Sequence, residues 1–246
     1  MPGFVDGKDG VLRYGAMYRW KNKPLAEEIK KRVHLECYAE NNARCRAFGE
    51  LMFNRTKWPE TFAYFFISRG LSCPLMIQSQ LHTGSMAGEG EIGHMVVDRF
   101  GPVCPTCGNR GCLEAFSSET AIVNRCAELL KQNKNTILRK TCCNPAAPRI
   151  SEILRAQKYG DAMVQSVMEE AITYAGIAIA NVINLINPPL LLVDAYIMQE
   201  KMNREMFLQI VRKNLFALNL TEVNIEFLPF DKLRAARGAA ALVIKK

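Results

Sequence analysis

Gly90-Glu-Ile-Gly-His-Met95, followed by Gly101-Pro-Val-Cys104-Pro-Thr-Cys107-Gly-Asn-Arg-Gly-Cys112-Leu-Glu-Ala115, is the stretch on which the reading of this chain turns. A Cys-x-x-Cys at a turn points two thiolates at one ion, and Gly108 and Gly111 let the backbone fold around it. Cys112 supplies a third thiolate and His94 an imidazole. His94, Cys104, Cys107 and Cys112 together suit a closed, tetrahedral, structural zinc site. The competing readings are a group of ordinary thiols, or a redox Cys-x-x-Cys beside a helix. Three cysteines in nine residues, flanked by glycines, favour the metal. Cys37, Cys45, Cys73, Cys126, Cys142 and Cys143 read as core or incidental residues.

The same stretch carries two acids. Glu91 and His94 stand three apart and share a face if the segment is helical. Glu114 lies two residues beyond Cys112. Earlier in the chain, Asn41-Asn42 opens a helix, and its amides can hydrogen-bond a ligand or simply cap that helix. Surface acids and a helix cap explain each residue singly. Held together by a metal knot, they would form a polar site suited to a polyhydroxylated ligand.

Working outward, the 246 residues allow one large domain or two ordinary ones. Hydrophobic residues make up 49% and charged residues 23%, the balance of a folded chain and not a disordered one. The formal charge of +8 raises a nucleic-acid surface, but its bases are scattered through amphipathic segments such as Glu27-Glu28-Ile29-Lys30-Lys31-Arg32, as on a solvated helix face. The longest apolar run, Ala171–Val193, is interrupted by Asn181, Asn184 and Asn187 and broken by Pro188-Pro189. It reads as a core helix followed by a core strand, and no membrane partner is expected. The first residues hold neither a basic region nor an apolar run, so no signal peptide is expected. An odd cysteine count with adjacent Cys142-Cys143 fits a reducing compartment, and the cytoplasm is the expected location.

Residues 1–23 carry short β-like pieces at Gly3–Asp6 and Gly10–Tyr14. Helical period marks Pro24–Arg32, and Leu35–Ala39 reads as a brief strand. Glu40–Phe53 is a helix, and Thr61–Ser68, Leu75–Ile77 and Gln80–His82 read as a meander. Helices follow at Thr120–Gln132 and Gln165–Ile186, a buried strand at Leu190–Val193, a helix at Met202–Phe216, a strand at Val223–Phe227 and an alanine-rich helix at Leu233–Ile244. Strands clustered early, then helices alternating with single strands, predict an α/β fold.

The Gly-Glu-x-Gly-His string and the knot ending Gly111-Cys-Leu-Glu-Ala115 resemble the signature of the ROK family of repressors, open reading frames and sugar kinases. Further landmarks follow in order: Pro2-Gly3-Phe4-Val5-Asp6, Glu40-Asn41-Asn42-Ala43 through Gly49-Glu50, Asn187-Pro188, and Gly238-Ala239-Ala240. The resemblance implies an actin-like, ribonuclease-H-like sugar-kinase fold, mostly its carboxyl-terminal lobe, with an inserted zinc knot. It divides the chain into an amino-terminal-lobe remnant (1–39), a sugar-binding lobe with the knot at 94–112 (40–230), and a terminal helix returning to the amino-terminal lobe (231–246). It gives Glu91, His94, Glu114 and Asn41 the role of contacts to sugar hydroxyls, with His94 binding zinc through its other nitrogen.

The departures from the family pattern decide the expected chemistry. The general base of the family's kinases is the Asp of Asn-Asp-Ala, and here that position is Asn42, an amide that takes no proton at neutral pH. The family's glycine-rich phosphate strip reads Ser68-Arg69-Gly70-Leu71-Ser72-Cys73-Pro74. The Gly-Gly turn that contacts adenosine reads Val193-Asp194-Ala195-Tyr196, and the Asp-x-Gly-x-Thr phosphate loop is absent. No catalytic residue and no ATP are therefore expected. The resemblance implies a zinc-stabilised effector module of a ROK-type transcriptional regulator that senses a hexose or N-acetylhexosamine. The alternative is an ATP-dependent, glucokinase-like sugar kinase. A homodimer is expected, with DNA bound only through an amino-terminal domain that this chain lacks.

Overall fold

A computed structural model of the chain describes residues 1–15, 19–54, 56–84, 88–132, 135–217 and 223–245. Its centre is a mixed sheet in the order β7-β6-β4-β8-β9, with β5 hydrogen-bonded to β4. The strands are β4 (Phe62–Ile67), β5 (Leu71–Ser72), β6 (Leu75–Ile77), β7 (Gln80–Leu81), β8 (Leu190–Ala195) and β9 (Asn224–Phe227). β4, β8 and β9 run parallel, while β5, β6 and β7 are antiparallel to their neighbours. The α/β expectation and the meander both hold.

β4 and β8 are buried on both faces, which is why they read as unbroken apolar runs. Side chains alternate between faces. Ala63, Phe65 and Ile67 of β4, with Leu191, Val193 and Ala195 of β8, pack on one side. That layer is built from α4 (Glu119–Lys131), α6 (Ile150–Lys158), α7 (Ala162–Ile186) and α8 (Lys201–Asn214). α7 is long and apolar enough to cross a membrane by length and composition, yet 56% of its most apolar window is buried within the protein. Phe62, Tyr64, Leu190 and Leu192 face the other layer, α2 (Asn42–Phe53) and α9 (Arg234–Lys245). These two helices cross with Gly49 against Gly238. A Cβ on Gly238 would collide with the carbonyl oxygen of Cys45, so the landmark glycines are a backbone-to-backbone contact.

A separate three-stranded antiparallel sheet holds β1 (Phe4–Asp6), β2 (Val11–Gly15) and β3 (Trp20–Lys23), followed by α1 (Leu25–Val33). α1 has no fully buried residue. Leu35–Ala39 is not a strand. It pairs with no strand among the described residues, and a backbone with no partner ladder stays irregular whatever its β propensity. The sequence reading also left out α3 (Glu114–Ser117), α5 (Ile137–Thr141) and α6. β8 runs two residues further than expected, and that extension matters below.

Candidate functional site

One cavity of about 1000 Å³ opens between the β1–β2 hairpin, the start of α2, the β4–β5 turn, the knot and α4. Asn41, Asn42, Glu91, His94 and Glu114 all line it. The five candidate residues, up to 73 positions apart in sequence, therefore share one space.

Glu91 precedes a single 3₁₀ turn, Ile92–His94, and the His94 N–H donates to the Glu91 carbonyl at 3.1 Å. That turn puts both side chains on the cavity wall. Burial, and secondly the neighbouring Glu114 carboxylate, push the Glu91 carboxyl up to about 7 from its usual 4.5. Asn41 is the N-cap of α2. Its Oδ1 accepts from the Ala43 and Arg44 N–H groups, and its Nδ2 donates to the Gly3 carbonyl at 2.9 Å. The capping alternative is thus realised, with one amide hydrogen committed to the backbone just before β1. Asn42 is the first residue of the helix and half-buried beside it.

The knot is a compact loop. The Cys104 N–H donates to the Asn109 carbonyl at 2.7 Å and the Gly108 N–H to the Cys104 carbonyl at 2.9 Å. Val96 bridges Cys112, and Val103 bridges Arg110. Gly111 has φ +73°, and a Cβ there would run into the Asp98 carbonyl, so glycine is required. The ligand atoms of His94, Cys104, Cys107 and Cys112 all lie within 4.8 Å of one another. Cys107 Sγ and Cys112 Sγ are 3.5 Å apart, and Cys104 Sγ is 3.8 Å from His94 Nδ1. A tetrahedron with metal–sulfur bonds of about 2.3 Å has edges of about 3.8 Å, so the four donors fit a metal of that size. Nδ1 faces the thiols, leaving Nε2 on the other side of the ring. Burial also pushes the thiols of Cys73 and Cys126 up to about 12 and that of Cys45 up to about 11, and these three stand in the core away from the knot.

Two segments that the resemblance ties to nucleotide binding are engaged internally. Ser68–Ser72 is a tight β4–β5 hairpin: the Ser68 N–H donates to the Gly70 carbonyl, and the Ser68 carbonyl accepts from the Glu119 N–H at the start of α4. The Cys73 N–H donates to the Gly90 carbonyl at 2.6 Å. Asp194 and Ala195 form no turn. They continue β8 alongside Phe66 and Ile67. The buried Asp194 carboxylate accepts from Arg46 Nη1 at 2.7 Å and Tyr64 Oη at 2.5 Å, and pairs with Arg234 Nη1 at 2.9 Å. Arg234 Nε in turn lies 2.9 Å from Glu50 Oε1. Two acids and two bases from α2, β8 and α9 make a neutral, buried cluster. Sequence reading missed it because Arg46 and Asp194 are 148 residues apart; Arg46 and Glu50, one turn apart on an otherwise apolar helix face, were its only local sign. Thr106, whose hydroxyl donates to Glu114 Oε1, was missed too.

A sequence model of the ROK family matches residues 1–246. This chain belongs to the ROK family. Among its relatives, the xylose repressor of Caldicellulosiruptor bescii is 26% identical over 99% of this chain and 61% of its own length. The glucokinase of Thermotoga maritima is 28% identical over 78% of this chain and 61% of its own. The crystal structure of a ROK family transcriptional regulator, a homologue of the Escherichia coli MLC protein, superposes with a TM-score of 0.84 at 28% identity, over 98% of this chain and 60% of that one. The chain thus spans about three-fifths of the length of these relatives, and its fold is the actin-like fold of ROK regulators and sugar kinases.

Proposed function

We propose that this ROK chain is the effector-sensing part of a transcriptional regulator, which binds a hexose or N-acetylhexosamine without phosphorylating it. The observation that supports this best is a contrast within one cavity. Glu91, His94 and Glu114 converge on it, while the residue at the family's base position is the amide Asn42. The internal hydrogen bonds of Ser68–Cys73 and the burial of Asp194 add to it, since a nucleotide would need those groups exposed. His94, Cys104, Cys107 and Cys112 would hold zinc, whose role would be to fix the loop and not to act on the ligand. The His94 ring, with Nδ1 toward the thiols, would offer Nε2 to a ligand hydroxyl. Glu91 and Glu114 accept hydrogen bonds from ligand hydroxyls, and Asn41 and Asn42 offer amides from the α2 end. In this reading the regulator works in the cytoplasm as a DNA-binding homodimer.

The second reading is an ATP-dependent, glucokinase-like sugar kinase, and the likeness to the Thermotoga maritima glucokinase favours it. Isothermal titration with a panel of hexoses and N-acetylhexosamines, with and without ATP, separates the two. Charge-assisted hydrogen bonds make Glu91→Gln and Glu114→Gln about ten- to a hundredfold weaker binders. Asn42→Ala should lose less, and His94→Ala most, because it loosens the metal loop as well. No binding to any sugar, or equal affinities across the series, sinks the sensor reading; phosphorylation of a sugar by the wild type hands the case to the kinase.

A further inference from the structure

The two oxygens of Glu114 have different surroundings. Oε1 accepts a hydrogen bond from the Thr106 hydroxyl. Oε2 lies over two glycines: a Cβ on Gly70 would stand 2.8 Å from it, and one on Gly93 3.3 Å. Gly70 is the single glycine left in the Ser68–Pro74 segment, and in this chain it makes room for a carboxylate oxygen. Thr106, Gly70, His94 and Glu114 all line the cavity.

Thr106 sits between Cys104 and Cys107, inside the loop that brings the thiols together. The position of its hydroxyl is therefore set by the geometry of that loop. An ionised carboxylate only accepts hydrogen bonds, so the single Thr106 hydrogen must go to Glu114. That bond engages one oxygen of Glu114 and leaves the other against the backbones of Gly70, on the cavity wall, and Gly93.

Resting on the sugar-site reading above, we propose that Thr106 is a positioning residue for ligand binding: from within the metal loop it holds Glu114 Oε1 and thereby aims Oε2 at the ligand. This is a link between metal and ligand separate from the His94 ring. Coupling of this kind is reciprocal, so ligand binding also tightens the hold on the metal.

The test uses the whole chain with its metal bound. Affinities of wild type, Thr106→Val, Thr106→Ser, Glu114→Gln and the Thr106→Val/Glu114→Gln double variant are measured calorimetrically. The probes are D-glucose, D-xylose, D-mannose, N-acetylglucosamine and N-acetylmannosamine. Zinc content and melting temperature are recorded for each protein. Valine keeps the shape of threonine and loses only the hydroxyl, so Thr106→Val should bind the best probe about tenfold more weakly with zinc content unchanged. Thr106→Ser keeps the donor and should stay close to wild type. The double variant should bind no worse than Glu114→Gln alone, because both changes remove one contact. The proposal is overturned if the zinc-loaded Thr106→Val protein binds as tightly as wild type, or if the two penalties add. It is overturned equally if the variant merely loses zinc or melting temperature. A wild type that binds none of the probes removes the sugar-site reading itself, a result distinct from a wild type that binds and a valine variant that matches it.

Discussion

Replacing Glu91 by glutamine should stabilise the unliganded protein while it weakens the binding site. In the unfolded chain this carboxyl ionises near 4.5; in the fold, burial and then Glu114 hold it at about 7. A carboxyl raised in this way favours the folded state only below its unfolded value, and that contribution is lost as pH rises from 4.5 through 7. Glutamine has no charge to desolvate and carries no such penalty. At 1.36 kcal/mol per tenfold shift, the ceiling on the gain above pH 8 is about 3 kcal/mol. Glu91 lines an open cavity, so screening brings the expected value down to about 1–2 kcal/mol. In a chain of this size that is a rise of roughly 2–8 °C in melting temperature. A loaded metal does not cancel it, because three thiolates around a divalent ion leave one net negative charge. The assay is thermal unfolding of zinc-loaded wild type and Glu91→Gln at pH 5.5, 7 and 8.5, without sugar. The gap should be less than half its full size at pH 5.5, widen through 7 and level off above 8. A variant no more stable than wild type at pH 8.5, or a gap that does not grow with pH, refutes the reasoning.

Three further outcomes follow from the site and the core. Elemental analysis of freshly purified, unchelated protein should give about one zinc per chain, and stripping it should unfold the knot, since such sites contribute on the order of 10 kcal/mol. Protein without zinc ends that reading. A coupled assay with ATP and common hexoses should detect no phosphorylation. Asn42→Asp alone should not restore it, because Ser68–Cys73 and Asp194 stay engaged. Asp194→Ala should cost about 3–5 kcal/mol, as Arg46 and Arg234 would be left buried with only Glu50 as a counter-charge. Chemical denaturation measures that loss, and a change under 1 kcal/mol would mean water reaches the cluster.

Features that depend on local chemistry were legible in the chain before it was folded. The spacing of Cys104, Cys107 and Cys112 around Gly108 and Gly111 carries its own turn geometry, and the long periodic run of α7 carries its own helix. β4 and β8 announced themselves as unbroken apolar strands because both their faces are covered. The ROK landmarks added the family and the grouping of Glu91, His94 and Glu114. What failed was whatever needs a distant partner. Leu35–Ala39 has the side chains of a strand, but a strand exists only beside another backbone, and none among the described residues pairs with it. Asp194 read as part of a lost turn, yet in the fold it extends β8 and neutralises two arginines. Thr106 carries no signal of its own in the sequence, yet its hydroxyl donates to the carboxylate that the knot brings against it. Local propensity and ligand spacing are short-range properties that a sequence states directly. Pairing, ion clusters and the aim of a single carboxylate oxygen are decided by which surfaces the folded chain presses together.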